Sequence, residues 1–213
     1  MTHKRFNCTI VLMNRTRLYR MSTRAAAVEV TRERIVQAAC KAFMRDWYDD
    51  VTLRDIAADA GVALQTLVNH FGNKEGLFGI AAERISNSIA TLRWTVGAGD
   101  LQGAATTLVD DYEQTGDFTL RLLAIEERVS VVRSGIARGR RGHEEWVEHV
   151  FAAALTGLRG TARKRRVAQL VVATDVFTWK LLRRDKELSR EQTIIAIREL
   201  VEALHTHTGG GSR

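Results

Sequence analysis

Residues 52–77 read TLRDIAADAGVALQTLVNHFGNKEGL, and the order of polar and apolar residues in this stretch decides the fold. Thr52 followed by Asp55 is a capping-box pattern, which marks the start of a helix. Gly61 ends that helix, because glycine most easily turns the chain through positive φ. Another short helix, at about 64–70, follows almost at once. Two helices of about eight residues joined by so short a turn predict a helix-turn-helix motif.

The sequence on both sides predicts helices that pack against this motif. Residues 31–46 place Ile35, Ala39 and Phe43 at helical spacing on one apolar face. Asn73 is a good N-cap residue, and the apolar stripe after it predicts a long helix that ends near Gly97. The alternative is an αα-hairpin with a purely packing role, whose arms would usually be longer.

The rest of the chain also has the pattern of helices. No proline occurs in the chain, and no segment shows the strict alternation of a half-buried strand. We therefore expect an all-α protein of about nine helices, with an N-terminal three-helix helix-turn-helix domain and a C-terminal helical bundle. The segments predicted as bundle helices after Gly97 are 101–115, 117–133, 143–159, 162–184 and 189–207.

The net charge of +7 lies mostly outside the helix-turn-helix segment. Residues 1–30 hold six basic and one acidic side chains, whereas residues 31–78 hold six basic and seven acidic ones. Met21 stands in an ordinary start context, and translation from it would remove much of the positive excess. The net charge alone is therefore weak evidence for a nucleic-acid partner.

Sequence features that would indicate export or membrane insertion are lacking. No apolar run approaches the roughly 20 residues that a membrane-spanning helix needs. The short apolar run at 8–13 has no clear cleavage site close behind it. Cys8 and Cys40 are too few for a disulfide framework. These observations predict a cytoplasmic protein without a membrane partner.

Two stretches, RIVQAACKAF at 34–43 and TLRDIAADAGVALQTLVNHFGNKEGL at 52–77, resemble the TetR family of bacterial transcriptional repressors. The later segments HEEWVEHVF at 143–151 and WKLLRRD at 179–185 look more weakly like the ligand-binding part of the family. The resemblance implies a homodimer that binds double-stranded operator DNA and releases it when a small-molecule effector enters the second domain. The implied divisions are a flexible basic segment (1–29), a helix-turn-helix domain (30–76), a ligand-binding and dimerisation domain (77–207) and a flexible tail (208–213).

Three residues depart from the family pattern. The family usually has Gly where Trp47 stands, Ser where Ala63 stands and Tyr where Val68 stands. Alanine at the start of a helix loses about 1 kcal/mol of capping free energy, and the family's Tyr commonly donates to a phosphate. Two departures thus remove polar groups that would face the operator.

The second helix of a helix-turn-helix enters the major groove, so its outward residues are the expected base readers. Gln65 and Asn69 share one face and suit adenine, whereas Leu64 and Val68 could contact thymine methyl groups. We expect Gln65 to make the main base contact. The alternative is that both amides are merely solvated. The full set of expected DNA contacts is Thr52, Arg54, Leu64, Gln65, Thr66, Val68, Asn69, His70 and Lys74, with Thr52, Arg54 and Lys74 on the phosphate backbone.

A small-molecule pocket is predicted among the aromatic residues of the bundle. Glu126 falls on an apolar helix face, where a carboxylate must be paired or bind something. The alternatives are that Glu126 pairs with an arginine and that the aromatic residues are ordinary core. His143 and His149 do not share a helical face, so no metal site is predicted. The candidate lining is Trp94, Tyr112, Glu126, Trp146 and Phe151.

The last predicted helices carry broad apolar faces, which suit a four-helix interface between two copies of the chain. The alternative is that these faces complete the core of one chain. The candidate interface residues are Leu170, Phe177, Leu181, Ile194, Ile197, Val201 and Leu204.

The motifs of common enzyme classes are lacking. We find no Gly-rich phosphate loop, no HExxH, no paired CxxC and no convincing nucleophile and base. No cofactor is implied. The remaining alternatives are a helical-bundle enzyme, which would need inward Glu and Glu-x-x-His pairs, and a non-specific architectural nucleic-acid-binding protein, which would need positive charge spread along the chain.

Overall fold

The computed structural model describes residues 8–206, with the side chains of residues 26–205. Every regular element in this range is helical, which confirms the predicted all-α fold class. None of these helices is both long and apolar enough to cross a membrane. A π-helical turn over Leu181–Asp185 continues the ninth helix. The helices are α1 (Cys8–Arg45), α2 (Leu53–Asp59), α3 (Leu64–Phe71), α4 (Lys74–Arg93), α5 (Leu101–Ile125), α6 (Ser130–Val150), α7 (Ala152–Leu155), α8 (Gly160–Ala173), α9 (Val176–Lys180) and α10 (Arg190–Thr206).

The first helix is longer than its apolar pattern predicted. It begins at Cys8 rather than at residue 31, because no glycine or proline interrupts the chain before residue 31. The segment 1–29 that we expected to be flexible therefore includes helical residues, and residues 1–7 lie outside the described range. The expected flexible tail at 208–213 also lies outside it.

Two predicted breaks in the bundle are wrong. Helix α5 runs through Gly116, where the absence of a side chain lets the Trp179 ring approach the backbone. A Cβ at Gly116 would lie 2.4 Å from Cζ3 of that ring. Helix α6 begins at Ser130 and continues through the Gly- and Arg-rich stretch 133–142. Glycine in these places serves close packing or is tolerated within a helix, and it does not end one.

A break that the sequence pattern missed divides the helix predicted at 162–184. Helix α8 ends at Ala173, and Asp175 begins α9 by accepting a hydrogen bond from the backbone N–H of Phe177 at 2.8 Å. The Asp175 cap turns the chain where the apolar pattern alone would have continued a single helix.

Two clusters of buried side chains form the core. The first joins helices α1–α4 with Phe118 and Ile125 of α5 and with Val129 and Val132 at the start of α6. The second fills the bundle between α5, α6, α7, α8, α9 and α10. We call residues 30–76 the headpiece and the helices from α5 onward the bundle; α4 leads from one to the other. Because the first cluster contains residues of both parts, the headpiece is packed against the bundle.

Candidate nucleic-acid interface

A helix cap, a glycine turn and an arginine from α1 together fix the helix-turn-helix. Thr52 accepts a hydrogen bond from the Asp55 backbone N–H at 3.2 Å, and its hydroxyl donates to the Asp55 carboxylate at 2.6 Å. Gly61 turns the chain at φ 62°. Arg34 of α1 donates to the carbonyls of Ala60 and Gly61 at the other end of α2. The sequence predicted the first two features and missed Arg34, which acts across 27 residues of chain.

Helix α3 has one buried face and one open face. Leu67 is 0% exposed and Phe71 8%, so they fix the helix against the headpiece core. Gln65 and Asn69 are exposed on the opposite side, and the Gln65 side-chain N–H donates to the Asn69 carbonyl oxygen at 2.8 Å. Their predicted common face is confirmed. Leu64 is also exposed, whereas Thr66, Val68 and His70 are half-buried at the margins of this face.

The start of α3 is less well capped than that of α2. Ala63 occupies the N-cap position of α3 and makes no side-chain cap hydrogen bond, as its sequence predicted. The free N–H groups there remain available to an external acceptor such as a phosphate oxygen.

The turn from α3 into α4 leaves little freedom between the two helices. Gly72 has φ 75°, and the Asn73 side chain caps α4 by accepting from the Gly76 N–H at 2.9 Å. A Cβ at Gly76 would lie 2.5 Å from the carbonyl oxygen of Phe71. This close approach sets the orientation of α3 against α4.

The three predicted phosphate donors differ in how free they are. Arg54 is exposed and has no hydrogen bond or ion pair within the described part of the chain. The Thr52 hydroxyl already donates to Asp55. Lys74 donates to the Asp49 carbonyl at 3.1 Å and lies 4.6 Å above the centre of the Tyr48 ring. Partial burial lowers the pKa of the Lys74 ammonium. Arg54 is thus the donor best placed to meet a phosphate.

Two arginines of α5 and the α5–α6 turn hold the headpiece from the bundle side. Arg128 forms an ion pair with Asp49 and keeps the pKa of that carboxyl low. Arg121 donates to the carbonyl of Met44 near the end of α1. Asp49 contacts Arg128 through its carboxylate and Lys74 through its carbonyl, so it links the headpiece to the bundle. The sequence pattern did not indicate it.

The five residues predicted to line a ligand pocket are not gathered in one place. Trp94 is 48% exposed and lies beside His149, with 5.1 Å between ring centres. Glu126 accepts a hydrogen bond from Arg140 at 2.8 Å, which is the ion pair named as its alternative. Tyr112, Trp146 and Phe151 are buried in the second core cluster. The pocket prediction therefore needs correction for Trp94 and Glu126, because one side chain faces outward and the other is neutralised by a surface arginine.

The bundle instead contains a buried polar network that the sequence pattern did not indicate. Arg93, at the end of α4, donates to the Asp111 carboxylate at 2.7 Å and to Nδ1 of His143 at 2.8 Å. Nε2 of His143 lies 3.0 Å from the Thr174 hydroxyl, and the Thr115 hydroxyl donates to Asp111 at 2.7 Å. We call these five residues the Arg93 network.

The Arg93 network fixes the state of its histidine. An arginine only donates hydrogen bonds, so Nδ1 of His143 must be the unprotonated acceptor. Thr174 donates to the Leu170 carbonyl at 2.8 Å, which leaves its oxygen to accept from Nε2–H. Burial and the positive charge of Arg93 lower the pKa of His143 to about 3. His143 is thus neutral, and its two ring nitrogens link Arg93 of α4 to Thr174 at the end of α8. Neither nitrogen is free to bind a metal.

Most of the predicted dimer residues belong to the core of one chain. Leu170, Ile194, Ile197 and Val201 are buried, and Leu204 packs against the same cluster. For these five the prediction needs correction, because their side chains already pack into the second core cluster within one chain. Phe177 and Leu181, by contrast, are 57% and 50% exposed. Three further exposed apolar side chains occur on the same last helices, namely Val172, Ile195 and Leu200.

Comparisons with known proteins agree with this arrangement. Residues 35–79 match the family model described as bacterial regulatory proteins, tetR family. No curated protein sequence matches the chain. A tetR-family transcriptional regulator from Streptomyces coelicolor shares the fold with a TM-score of 0.66 at 18% identity, covering 83% of this chain and 80% of that one.

Two further solved structures have the same fold. A transcriptional regulator from Rhodococcus sp. Rha1 gives a TM-score of 0.64 at 15% identity, over 82% of this chain and 95% of that one. The multidrug binding protein EbrR, complexed with imidazole, gives 0.57 at 20% identity, over 79% and 88%. The family model covers the segment from α1 to the start of α4, and the fold is shared over most of the chain. The headpiece segment 35–79 thus matches the model of the tetR family of bacterial regulatory proteins, and the chain shares its fold with solved transcriptional regulators.

Proposed function

We propose that this chain is a homodimeric, sequence-specific DNA-binding regulator of transcription that acts as a repressor and leaves its operator when a small hydrophobic molecule binds the bundle. The observation that carries the proposal is the face of α3. Its buried Leu67 and Phe71 anchor the helix, and its exposed Leu64, Gln65 and Asn69 point away from the core. A helix that binds in the major groove needs one face packed against its own domain and another face free to contact bases.

In the proposed complex, Gln65 reads bases and Arg54 holds the backbone. A glutamine amide can accept from N6 of adenine and donate to N7, and the exposed Leu64 beside it suits a thymine methyl group. Arg54 supplies a free positive charge near the start of α2, which crosses the backbone in this motif. Lys74 also binds phosphate in the proposed complex. Its ammonium has three N–H donors, so it can donate to the Asp49 carbonyl and still have an N–H free for a phosphate oxygen.

Dimerisation would bring two α3 helices to one operator. The proposed contact is formed by the last helices of the chain, which carry the exposed apolar side chains Val172, Phe177, Leu181, Ile195 and Leu200. Where exposed apolar side chains lie together they mark interaction sites. Two copies related by a two-fold axis would present half-sites about one turn of DNA apart.

Helix α4, which connects the headpiece to the bundle, supports the proposed release by an effector. Helix α4 begins at the Asn73 cap beside α3 and ends at Arg93 inside the bundle. A molecule that moved α4 or α6 would therefore change the position of the headpiece. EbrR, which has the same fold, is described as a multidrug binding protein, and we extend small-molecule binding of that kind to this chain as part of the proposal.

A gel-shift titration with the full chain and the DNA upstream of its own gene tests the proposal. We expect a shift that competitor DNA of unrelated sequence does not remove, and release when a fitting hydrophobic compound is added. Gln65→Ala should weaken binding to this DNA by about tenfold and leave unrelated DNA unaffected. Glu145→Ala, on the exposed surface of α6 and away from the proposed DNA and dimer contacts, is the control. Binding that ignores sequence would support the architectural alternative, and no binding would contradict the proposal.

A further inference from the structure

A hydrogen bond between Gln65 and Asn69 on the exposed face of α3 limits which of their amide groups remain free to contact a base. Gln65 donates from Nε2 to Oδ1 of Asn69 at 2.8 Å. The two residues are one helical turn apart, which is the spacing at which side chains on a helix meet. Both are exposed, so the bond is formed where DNA would contact the helix.

A free glutamine amide has two nearly equivalent orientations. Its last torsion is broad and roughly two-fold, so the oxygen and nitrogen readily exchange places. One orientation presents the oxygen outward to a donor and the other presents the nitrogen. A side chain that samples both would tolerate several bases.

The bond to Asn69 selects one orientation. We infer that Asn69 is a positioning residue, which holds the Gln65 amide so that its oxygen and its second N–H face outward together and select adenine. This inference rests on the proposed function. Adenine offers a donor at N6 and an acceptor at N7, which is the complement of the oxygen and N–H that Gln65 has left.

Asn69 is poorly placed to be an independent base reader. Its carbonyl oxygen already accepts from Gln65, so only its N–H group is free for a base, and a single donor discriminates less than a bidentate pair. The residues that contact base edges in a helix-turn-helix come from the N-terminal part of the second helix. Gln65 is the second residue of α3 and Asn69 the sixth.

Fixing the amide beforehand also lowers the cost of binding. A side chain that is ordered in the free protein loses less rotamer freedom when it docks. Removing Asn69 should therefore weaken adenine recognition by Gln65 without removing any base contact of its own. The expected loss of base preference is several-fold, smaller than that caused by removing Gln65 itself.

A double-mutant cycle in DNA selection tests this inference. Full-length wild type, Gln65→Ala, Asn69→Ala and the double variant are each used to enrich sites from randomised duplex DNA. We expect Asn69→Ala to flatten the preference at the same base pair as Gln65→Ala, by several-fold and by less than Gln65→Ala does. The double variant should be no less selective than Gln65→Ala alone, because the two residues act as one unit.

A conservative variant separates positioning from a general loss of affinity. Asn69→Asp keeps an acceptor oxygen for Gln65, so it should retain the preferred base while the added negative charge weakens binding to every sequence. Because both residues are exposed, every variant should remain folded at the assay temperature in a thermal unfolding measurement, which excludes misfolding as the cause.

The outcomes that contradict the inference are specific. If Asn69→Ala relaxes a different base pair from Gln65→Ala and the two losses multiply, Asn69 is an independent reader. If Asn69→Asp loses the base preference as fully as Asn69→Ala, the acceptor oxygen has no positioning role. Failure of the wild type to enrich any sequence would instead overturn the proposed function, so the two failures are distinguishable.

Discussion

The headpiece and the bundle place their polar groups in opposite ways. In the headpiece, Thr52 and Asn73 cap helices through partners three residues away, and the amide side chains of α3, Gln65 and Asn69, are exposed. In the bundle, Arg93 and Asp111 are almost fully buried and belong to a network that joins α4, α5 and α6 to the end of α8.

This difference separates two tasks. The headpiece can change its outward residues, and with them the DNA sequence that we propose it binds, at little cost to stability, because those residues touch no core. The bundle has no such freedom, since a buried charge that loses its partner destabilises the fold strongly. We therefore expect substitutions in the bundle network to affect folding and substitutions on α3 to affect sequence preference.

The largest effect should come from Asp111→Ala. The change leaves the Arg93 guanidinium, which is only 10% exposed, without its carboxylate and should lower the free energy of unfolding by about 3–5 kcal/mol. Urea unfolding measures it. The control is Glu127→Ala, which removes an exposed ion pair with Arg133 and should cost less than about 1 kcal/mol. Equal losses in the two variants would contradict the proposed contrast.

Close packing of α5 against Trp179 gives the next test. Gly116→Ala would place a Cβ 2.4 Å from a ring that is fully buried, so we expect a loss of about 1–3 kcal/mol from overpacking. Gly139→Ala, inside α6 where an added Cβ would meet no other part of the protein within 4 Å, should instead gain up to about 1 kcal/mol. The two thermal unfolding midpoints should thus move in opposite directions, and a shift of the same sign would count against this packing.

Acid should destabilise the bundle through His143. Its pKa in the folded chain, about 3, lies below its ordinary value of 6.5, so between these pH values the unfolded chain binds a proton that the folded chain does not. The contribution of His143 is fully present above about pH 6.5 and is lost as the pH falls toward 3. Between pH 7 and pH 5 the loss amounts to about 2 kcal/mol.

His143→Gln isolates that contribution, because glutamine can accept and donate without titrating. The difference in free energy of unfolding between the wild type and this variant should change by about 2 kcal/mol from pH 7 to pH 5. Parallel pH profiles of the two proteins would show that His143 does not carry this pH dependence.

The smallest effect is expected at the start of α3. Ala63 makes no cap hydrogen bond, and Ala63→Ser should raise the free energy of unfolding by about 1 kcal/mol. Ala58→Ser, at an exposed position within α2, is the control and should lower it by about 0.5 kcal/mol. A gain at both positions would mean that capping is not the cause.

The same contrast explains which features could be predicted from the sequence. The limits of α2 and α3, the Thr52 and Asn73 caps and the shared face of Gln65 and Asn69 depend on residues within a turn of one another. The Arg93 network depends on pairs such as Arg93 and His143, which are 50 residues apart. Local spacing carries no information about such pairs.

One signal of the network was present in the sequence. Asp111 lies beside Tyr112 in α5 and one turn from Leu108, on a face that is otherwise apolar. A carboxylate there requires a buried partner. Glu126 also lies on an apolar helix face, but its partner is the surface residue Arg140. The sequence pattern is the same for a carboxylate at the rim of the bundle and for one at its centre, so it could not separate the two.

The central claim is that α3 reads DNA sequence as part of a dimer, and selection from randomised duplex DNA tests it most directly. We predict that the purified chain enriches a two-fold symmetric sequence whose half-sites lie about one helical turn, or a multiple of it, apart, with adenine at the base pair that depends on Gln65. Enrichment of no common sequence from the randomised DNA would contradict the claim.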